Sequence, residues 1–234
     1  MSDGLVISNV TVVRSGSSVV RNVSMNVPAG QVTVLLGANG AGKTSLLESI
    51  SGVIPCASGS LSLGGIDVTR MPRSGRARIG IAHVEQGRSI FADLTTEENL
   101  LVVGPKSKIG ASYELFPELV ARRDARAALL SGGEQQMLVI ARALVGGPKV
   151  LLLDEMSLGL APIVVQRLIP LCRTLAESGV GVLLVEQFAS LALSVGDTAY
   201  VLARGEVAYE GPSHALRADP LRLRKLYLGD ESAA

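Results

Sequence analysis

Five residues, Val32 to Leu36, four of them apolar, run directly into Gly37-Ala-Asn-Gly-Ala-Gly-Lys43-Thr44, and no other stretch constrains the fold so tightly. A short, largely apolar run reads as a strand buried on both faces. The eight residues after it match the spacing G-x-x-x-x-G-K-[ST]. In that pattern the glycines let backbone N–H groups curl around a phosphate without Cβ clashes. The lysine reaches the terminal phosphates and the hydroxyl ligates Mg²⁺. Strand, loop and helix therefore follow in the order a phosphate-binding βα unit requires.

The flanking sequence supplies the rest of an α/β sheet. Leu5 to Val13 and Val19 to Val27 alternate around Ser15-Gly16-Ser17-Ser18, which predicts an antiparallel pair. The helix from Lys43 is expected to end near Gly52, and Gly64-Gly65 to turn a hairpin over 59–68. Apolar strands are expected at Ile79 to Val84, Val150 to Leu153 and Val180 to Val185, and a last hairpin across Arg204-Gly205. Between them lie a helix ending at Gly146-Gly147-Pro148, one opening at Ala161-Pro162 and stopping at Gly179, and one over 189–195. Pro170 falls inside the second, where a kink or break is expected. From Leu94 to Leu129 the pattern turns polar and helical, broken at Gly104-Pro105, with Thr95 and Glu98 spaced as a capping box.

Two further strings carry chemistry. Asp154 and Glu155 end an apolar strand, which puts both carboxylates at the sheet edge beside the loop. There Asp154 could hold magnesium and Glu155 polarise a water. Leu130-Ser-Gly-Gly-Glu-Gln-Gln136 places a hydroxyl and free N–H groups at a helix N-terminus, a second phosphate nest. One nucleotide needs one such nest, so two on one chain make sense if each chain lends its second to a partner.

Composition narrows the class. A net charge of +1 with no basic block argues against phosphate neutralisation on nucleic acid. Arg122-Arg123 and Arg222-Leu-Arg224-Lys225 read as solvated helix faces. Cys56 and Cys172 have no ligand spacing and read as reduced thiols, and neither His83 nor His214 is placed for chemistry. Met1-Ser-Asp-Gly-Leu5 is not expected to be a secretory signal, and every apolar run falls short of a membrane span.

In this order and spacing the strings resemble the ATP-binding subunits of ABC transporters, over nearly the whole chain. The resemblance implies an α/β P-loop NTPase cassette: a RecA-like, mostly parallel core sheet, an N-terminal antiparallel β subdomain and a small helical insert. It implies one domain, with 1–90 and 134–234 as nucleotide-binding core and 91–133 as the insert. It also implies ATP and Mg²⁺ as ligands, with nucleotide contacts from Gly37, Ala38, Asn39, Gly40, Ala41, Gly42, Lys43, Thr44 and Ser45. Ser131, Gly132, Gly133 and Glu134 would complete a partner subunit's site. Thr44, Gln86 and Asp154 would serve the metal; Glu155, Lys43, Gln187 and Gln86 would serve hydrolysis. Ser157-Leu-Gly-Leu-Ala-Pro162 sits at the family's D-loop.

Gly87 to Asn99, Glu114-Leu-Phe-Pro117, Ser157 to Pro162 and Leu184-Val-Glu-Gln187 look most like the branched-chain amino-acid importers, in particular the shorter of their two ATPases. That implies a second ATPase subunit (a heterodimer, with a homodimer as alternative), two membrane permeases, a periplasmic or lipid-anchored solute-binding protein, and a place on the cytoplasmic face of the membrane. A urea or amide importer, or a subunit leaving most hydrolysis to its partner, are the alternatives. Three positions depart from the family pattern: Gln187 replaces a histidine that contacts the γ-phosphate, Met156 replaces a proline, and Arg14 stands where an aromatic would stack on adenine, its guanidinium either a nucleotide contact stacked on the purine or an exposed turn arginine. Glutamine donates a hydrogen bond but carries no proton charge, so weaker hydrolysis is expected.

Overall fold

A computed structural model describes residues 4–228; Met1 to Asp3, where no secretory signal was expected, lie outside them. Strands β1 (Leu5–Arg14) and β2 (Ser17–Val27) pair antiparallel across Ser15 and Gly16, both at positive φ. Strand β3 (Val32–Leu36) leads into helix α1 (Lys43–Ser51), which Gly52 closes in the left-handed conformation at φ 80°. Strands β4 (Ser58–Leu63) and β5 (Ile66–Asp67) extend the first sheet, whose order is β2-β1-β4-β5.

A second sheet contains β3 at its heart. With β6 (Ile81–Val84), β7 (Val150–Asp154), β8 (Gly181–Val185), β9 (Thr198–Ala203) and β10 (Glu206–Pro212), its order is β10-β9-β3-β8-β7-β6. Only the β9–β10 hairpin is antiparallel. The period of two along its strands divides the core. Val32, Val34, Leu36, Leu151, Leu153, Val182 and Leu184 face one layer, with the helices; Leu35, Leu152, Leu183 and Val185 face the other, with the antiparallel sheet.

The expected strand from Ile79 is shorter, because a helix α2 (Arg73–Ile79) precedes it. Its sequence, Arg-Ser-Gly-Arg-Ala-Arg-Ile, lacks an apolar stripe; tertiary contact decides it instead. Arg76 is buried and donates to the Ile50 carbonyl at 2.7 Å and those of Met71 and Thr69 at 2.9 Å. It thereby satisfies a carbonyl that the end of α1 leaves open.

The insert begins as expected: Thr95 caps α3 (Thr96–Leu101), with Glu98 closing the box. Helix α4 (Lys106–Leu115) follows, but beyond Phe116 the chain forms only 3-10 turns, Pro117–Arg122 and Ala127–Leu129. Pro117 ends the hydrogen-bonded run, and burial of Phe116 and Leu119 three residues apart suits the tighter turn. Helix α5 (Gly132–Val145) packs against α3 and α4, and its Leu138 and Ile140 share one core layer with the sheet. The 133/134 boundary drawn from sequence thus falls inside a helix common to insert and core.

Helix α6 (Pro162–Glu177) runs without interruption through Pro170. The expected break does not occur, because Pro170 and Gln166, whose carbonyl it deprives of a donor, are both solvent-exposed. Helices α7 (Ala189–Val195), α8 (Ser213–Ala218) and α9 (Pro220–Leu228) complete the described residues.

Candidate active site

Because β3, β7 and β8 are parallel, the residues that follow them meet at one edge of the sheet. Val185 pairs with Leu35 on one side and Asp154 on the other, so the segments at Gly37, Glu155 and Gln187 leave the sheet side by side.

The glycine loop needs its glycines. Gly37, Gly40 and Gly42 have φ of 149°, 80° and 105°. A Cβ at Gly37 would stand 2.3 Å from the Leu202 carbonyl oxygen, and one at Gly42 2.5 Å from that of Val19. Lys43, only 4% exposed, folds back across the loop, its Nζ donating to the carbonyls of Gly37 at 2.8 Å and Ala38 at 3.1 Å. Burial lowers its pKa; Glu155 and Asp154 offset part of that.

Asp154 is 1% exposed, and neither carboxylate oxygen has a hydrogen-bond partner among the described residues. Burial raises its pKa, with the nearby Thr44 hydroxyl and Lys43 pulling the other way. Glu155 adopts a left-handed backbone at φ 47°, uncommon for a residue with a side chain, while its N–H donates to the Val185 carbonyl at 2.9 Å. Its Oε2 accepts from Gln86 Nε2 at 3.3 Å and Gln187 Nε2 at 3.2 Å, and Gln187 also reaches Asn39 Oδ1 at 3.4 Å. Together with Lys43, Thr44 and Ser45 these residues line a cavity of ≈ 400 Å³, within the range of small-ligand sites.

Ser131, Gly132, Gly133 and Glu134 do not line that cavity. Ser131 caps α5 in a box with Glu134: its N–H donates to Glu134 Oε2 at 2.7 Å, and Glu134 N–H to its Oγ at 3.3 Å. Arg122 holds the same glutamate at 3.1 Å. The first N–H groups of α5 have no acceptor within the helix. Arg14 ends β1 with its guanidinium ion-paired to Glu48 of α1.

Glu186 was missed in the sequence. It is 1% exposed, and its carboxylate accepts from the Ser157 N–H at 3.1 Å and from the Ser157 hydroxyl. Burial raises its pKa against those bonds. A charge directly after an apolar strand was the available signal, the same one that singled out Asp154 and Glu155. The bond ties the loop after β7 to the loop after β8.

The family model described as ABC transporter matches residues 20–157, more than half of the chain. The chain belongs to the ABC transporter ATP-binding family. It is 44% identical over 215 residues to the high-affinity branched-chain amino acid transport ATP-binding protein BraG of Pseudomonas aeruginosa, covering 89% of this chain and 92% of that one. It is 33% identical over 237 residues to the lipopolysaccharide export system ATP-binding protein LptB of Escherichia coli K12, covering 97% and 98%. A crystal structure of a nucleotide-free ATP-binding cassette from an ABC transporter superposes with a TM-score of 0.87 at 24% identity, covering 98% and 100%, and shares the fold. The cassette is thus a nucleotide-binding ATPase of the kind that powers transport, and membrane permeases are its partners. Among the described residues no helix is long and apolar enough to cross a membrane.

Proposed function

We propose that this ABC cassette hydrolyses Mg²⁺-ATP to energise import of a branched-chain or other hydrophobic amino acid, from the cytoplasmic face of the membrane. The observation that carries the catalytic part is Glu155 Oε2, accepting from both Gln86 and Gln187 beside buried Lys43. The likeness to BraG supports the substrate.

Lys43 and the loop N–H groups hold the triphosphate, and Glu155 orients the attacking water and takes its proton. Asp154, buried with two unpartnered oxygens, and the adjacent Thr44 hydroxyl fit a magnesium ion. The remaining ligands, Gln86 and water among them, suit a cation that keeps much of its hydration. Bound there, magnesium neutralises charge on the phosphate oxygens. Gln187 contributes a hydrogen bond and no ionisable proton, so positioning outweighs acid–base exchange at that corner.

Ser131 and the first turn of α5, which do not line the chain's own loop cavity, complete the site of a second ATPase subunit. Far along α5, the Arg142 guanidinium lies 4.8 Å from the centroid of Phe91, and buried Asn99 holds the Phe91 N–H at 2.9 Å. Phe91, Leu101, Val102 and Val103 are 46%, 40%, 55% and 47% exposed, an apolar surface for permeases. Closure of α5 on a partner's nucleotide would then shift Phe91 and the permease against it. A solute-binding protein joins through those permeases. The likeness to LptB favours a second reading, an export ATPase.

Co-purification of the permeases followed by uptake of labelled leucine and urea into vesicles tests the assignment. ATP-dependent leucine uptake supports it. Urea uptake alone, or no uptake with ATP hydrolysed, overturns the substrate.

A further inference from the structure

Arg88 lies two residues beyond Gln86, and the mechanism above gives it no role. Its backbone is left-handed, φ 53°, directly after Gly87 at φ 98°. A residue with a long side chain rarely adopts that conformation, so the surroundings over-determine it. What they fix is the direction of the guanidinium. Its Nη2 donates to the carbonyls of Leu158 and Gly159, each at 3.2 Å. On its other side stands the first turn of α5: a Cβ at Gly132 would lie 2.7 Å from Arg88 Nη1 and 3.3 Å from its Cζ. One planar, always-charged group therefore fills the space between the loop after β7 and the Ser131 helix.

Both surfaces that Arg88 joins face outward. Leu129, Leu158 and Ile163, which flank the join, are 78%, 46% and 72% exposed. A second contact runs parallel to the first, since a Cβ at Gly133 would meet Val164 Cγ2 at 3.0 Å. Arg88 also lines a cavity of ≈ 480 Å³ with Gln86, Gln135 and Glu155, so it borders the chain's own catalytic carboxylate.

We propose that Arg88 is a positioning residue that locks the Ser157 to Pro162 loop onto the first turn of α5, so that the surfaces this chain offers a partner's nucleotide move together and in step with Gln86. This rests on the dimeric ATPase reading given above. Small residues at Gly132 and Gly133 serve it as much as they serve phosphate, because they admit the Arg88 and Val164 side chains.

The test uses the full-length chain with Arg88→Ala and Arg88→Lys, read by hydrogen–deuterium exchange and by ATP turnover. Arg88→Ala is expected to raise exchange in 131–136 and 157–162 and to leave 37–44 and the central strands unchanged. Since misplacing catalytic groups by about 1 Å costs up to about 100-fold, kcat should fall about 10- to 100-fold with KM for ATP held within about twofold. Arg88→Lys, with a point charge able to meet one carbonyl but not the planar gap, should recover part of kcat. Unchanged exchange in both segments, or a kcat within about twofold of the parent, would overturn the proposal. Glu155→Gln run alongside separates the two ideas: if it leaves turnover intact, the catalytic role given to Glu155 fails, while the exchange result still judges Arg88.

Discussion

Gln187 Nε2 stands 3.2 Å from Glu155 Oε2, the same oxygen to which Gln86 Nε2 donates at 3.3 Å. A carboxylate held by two neutral amide donors is fixed in direction without being neutralised. Gln187→Ala removes one of the two, and kcat should fall about 10-fold or more with little change in KM, as for loss of an oriented donor. Gln187→His should introduce an ionisation near pH ~6.5 into the pH–rate profile. The parent enzyme should show none from this position. Steady-state ATP turnover from pH 5.5 to 8.5 checks both.

Asp154 presents two buried oxygens with no hydrogen-bond partner among the described residues. Asp154→Asn keeps the shape and removes the charge, so metal-dependent turnover should drop at least about 100-fold. Nucleotide should still bind through Lys43 and the loop. Fluorescent nucleotide titration with and without EDTA is the check: EDTA should weaken binding to the parent and have little effect on Asp154→Asn.

His83 on β6 places Nδ1 3.0 Å from Ser51 Oγ and leaves Nε2 buried without a partner among the described residues. Burial lowers its pKa from 6.5 to about 4. Between those values the unfolded chain binds the extra proton and the fold does not, so stability falls as pH drops from 6.5 to about 4. At ~1.4 kcal/mol per unit, the loss from this residue approaches about 3 kcal/mol at the acid end. Thermal melts at pH 7 and pH 4.5 should show a smaller acid-induced drop for His83→Gln than for the parent.

The strands and both ends of the central helices were legible because the signals there are local. Val150 to Leu153 and Val180 to Val185 are apolar throughout, Val32 to Leu36 is apolar but for Thr33, and Gly52, Gly146 and Pro162 punctuate the helices. Parallel strands alone bring Lys43, Asp154, Glu155 and Gln187 to one sheet edge, so most of the candidate site followed from their positions. Three features were not legible. Helix α2 is secured by Arg76, a charged residue whose burial depends on carbonyls reaching it from Ile50 and Thr69. The α6 helix passes Pro170 unbroken because that face meets water, and exposure is a tertiary fact. Glu186 holds Ser157 across 29 residues of sequence, and no spacing rule joins a strand-end acid to one particular serine.

The central claim is that Glu155 drives hydrolysis of an ATP held by the Lys43 loop. Single-turnover hydrolysis of labelled ATP by the parent and by Glu155→Gln, in complex with the permeases and partner ATPase, tests it most directly. The amide keeps the size of the carboxylate but cannot accept the water's proton. We expect nucleotide binding within about threefold of the parent and cleavage slowed at least about 100-fold, the scale of a lost general base. Cleavage by Glu155→Gln at the parental rate, at a site that still requires Lys43, would contradict the account.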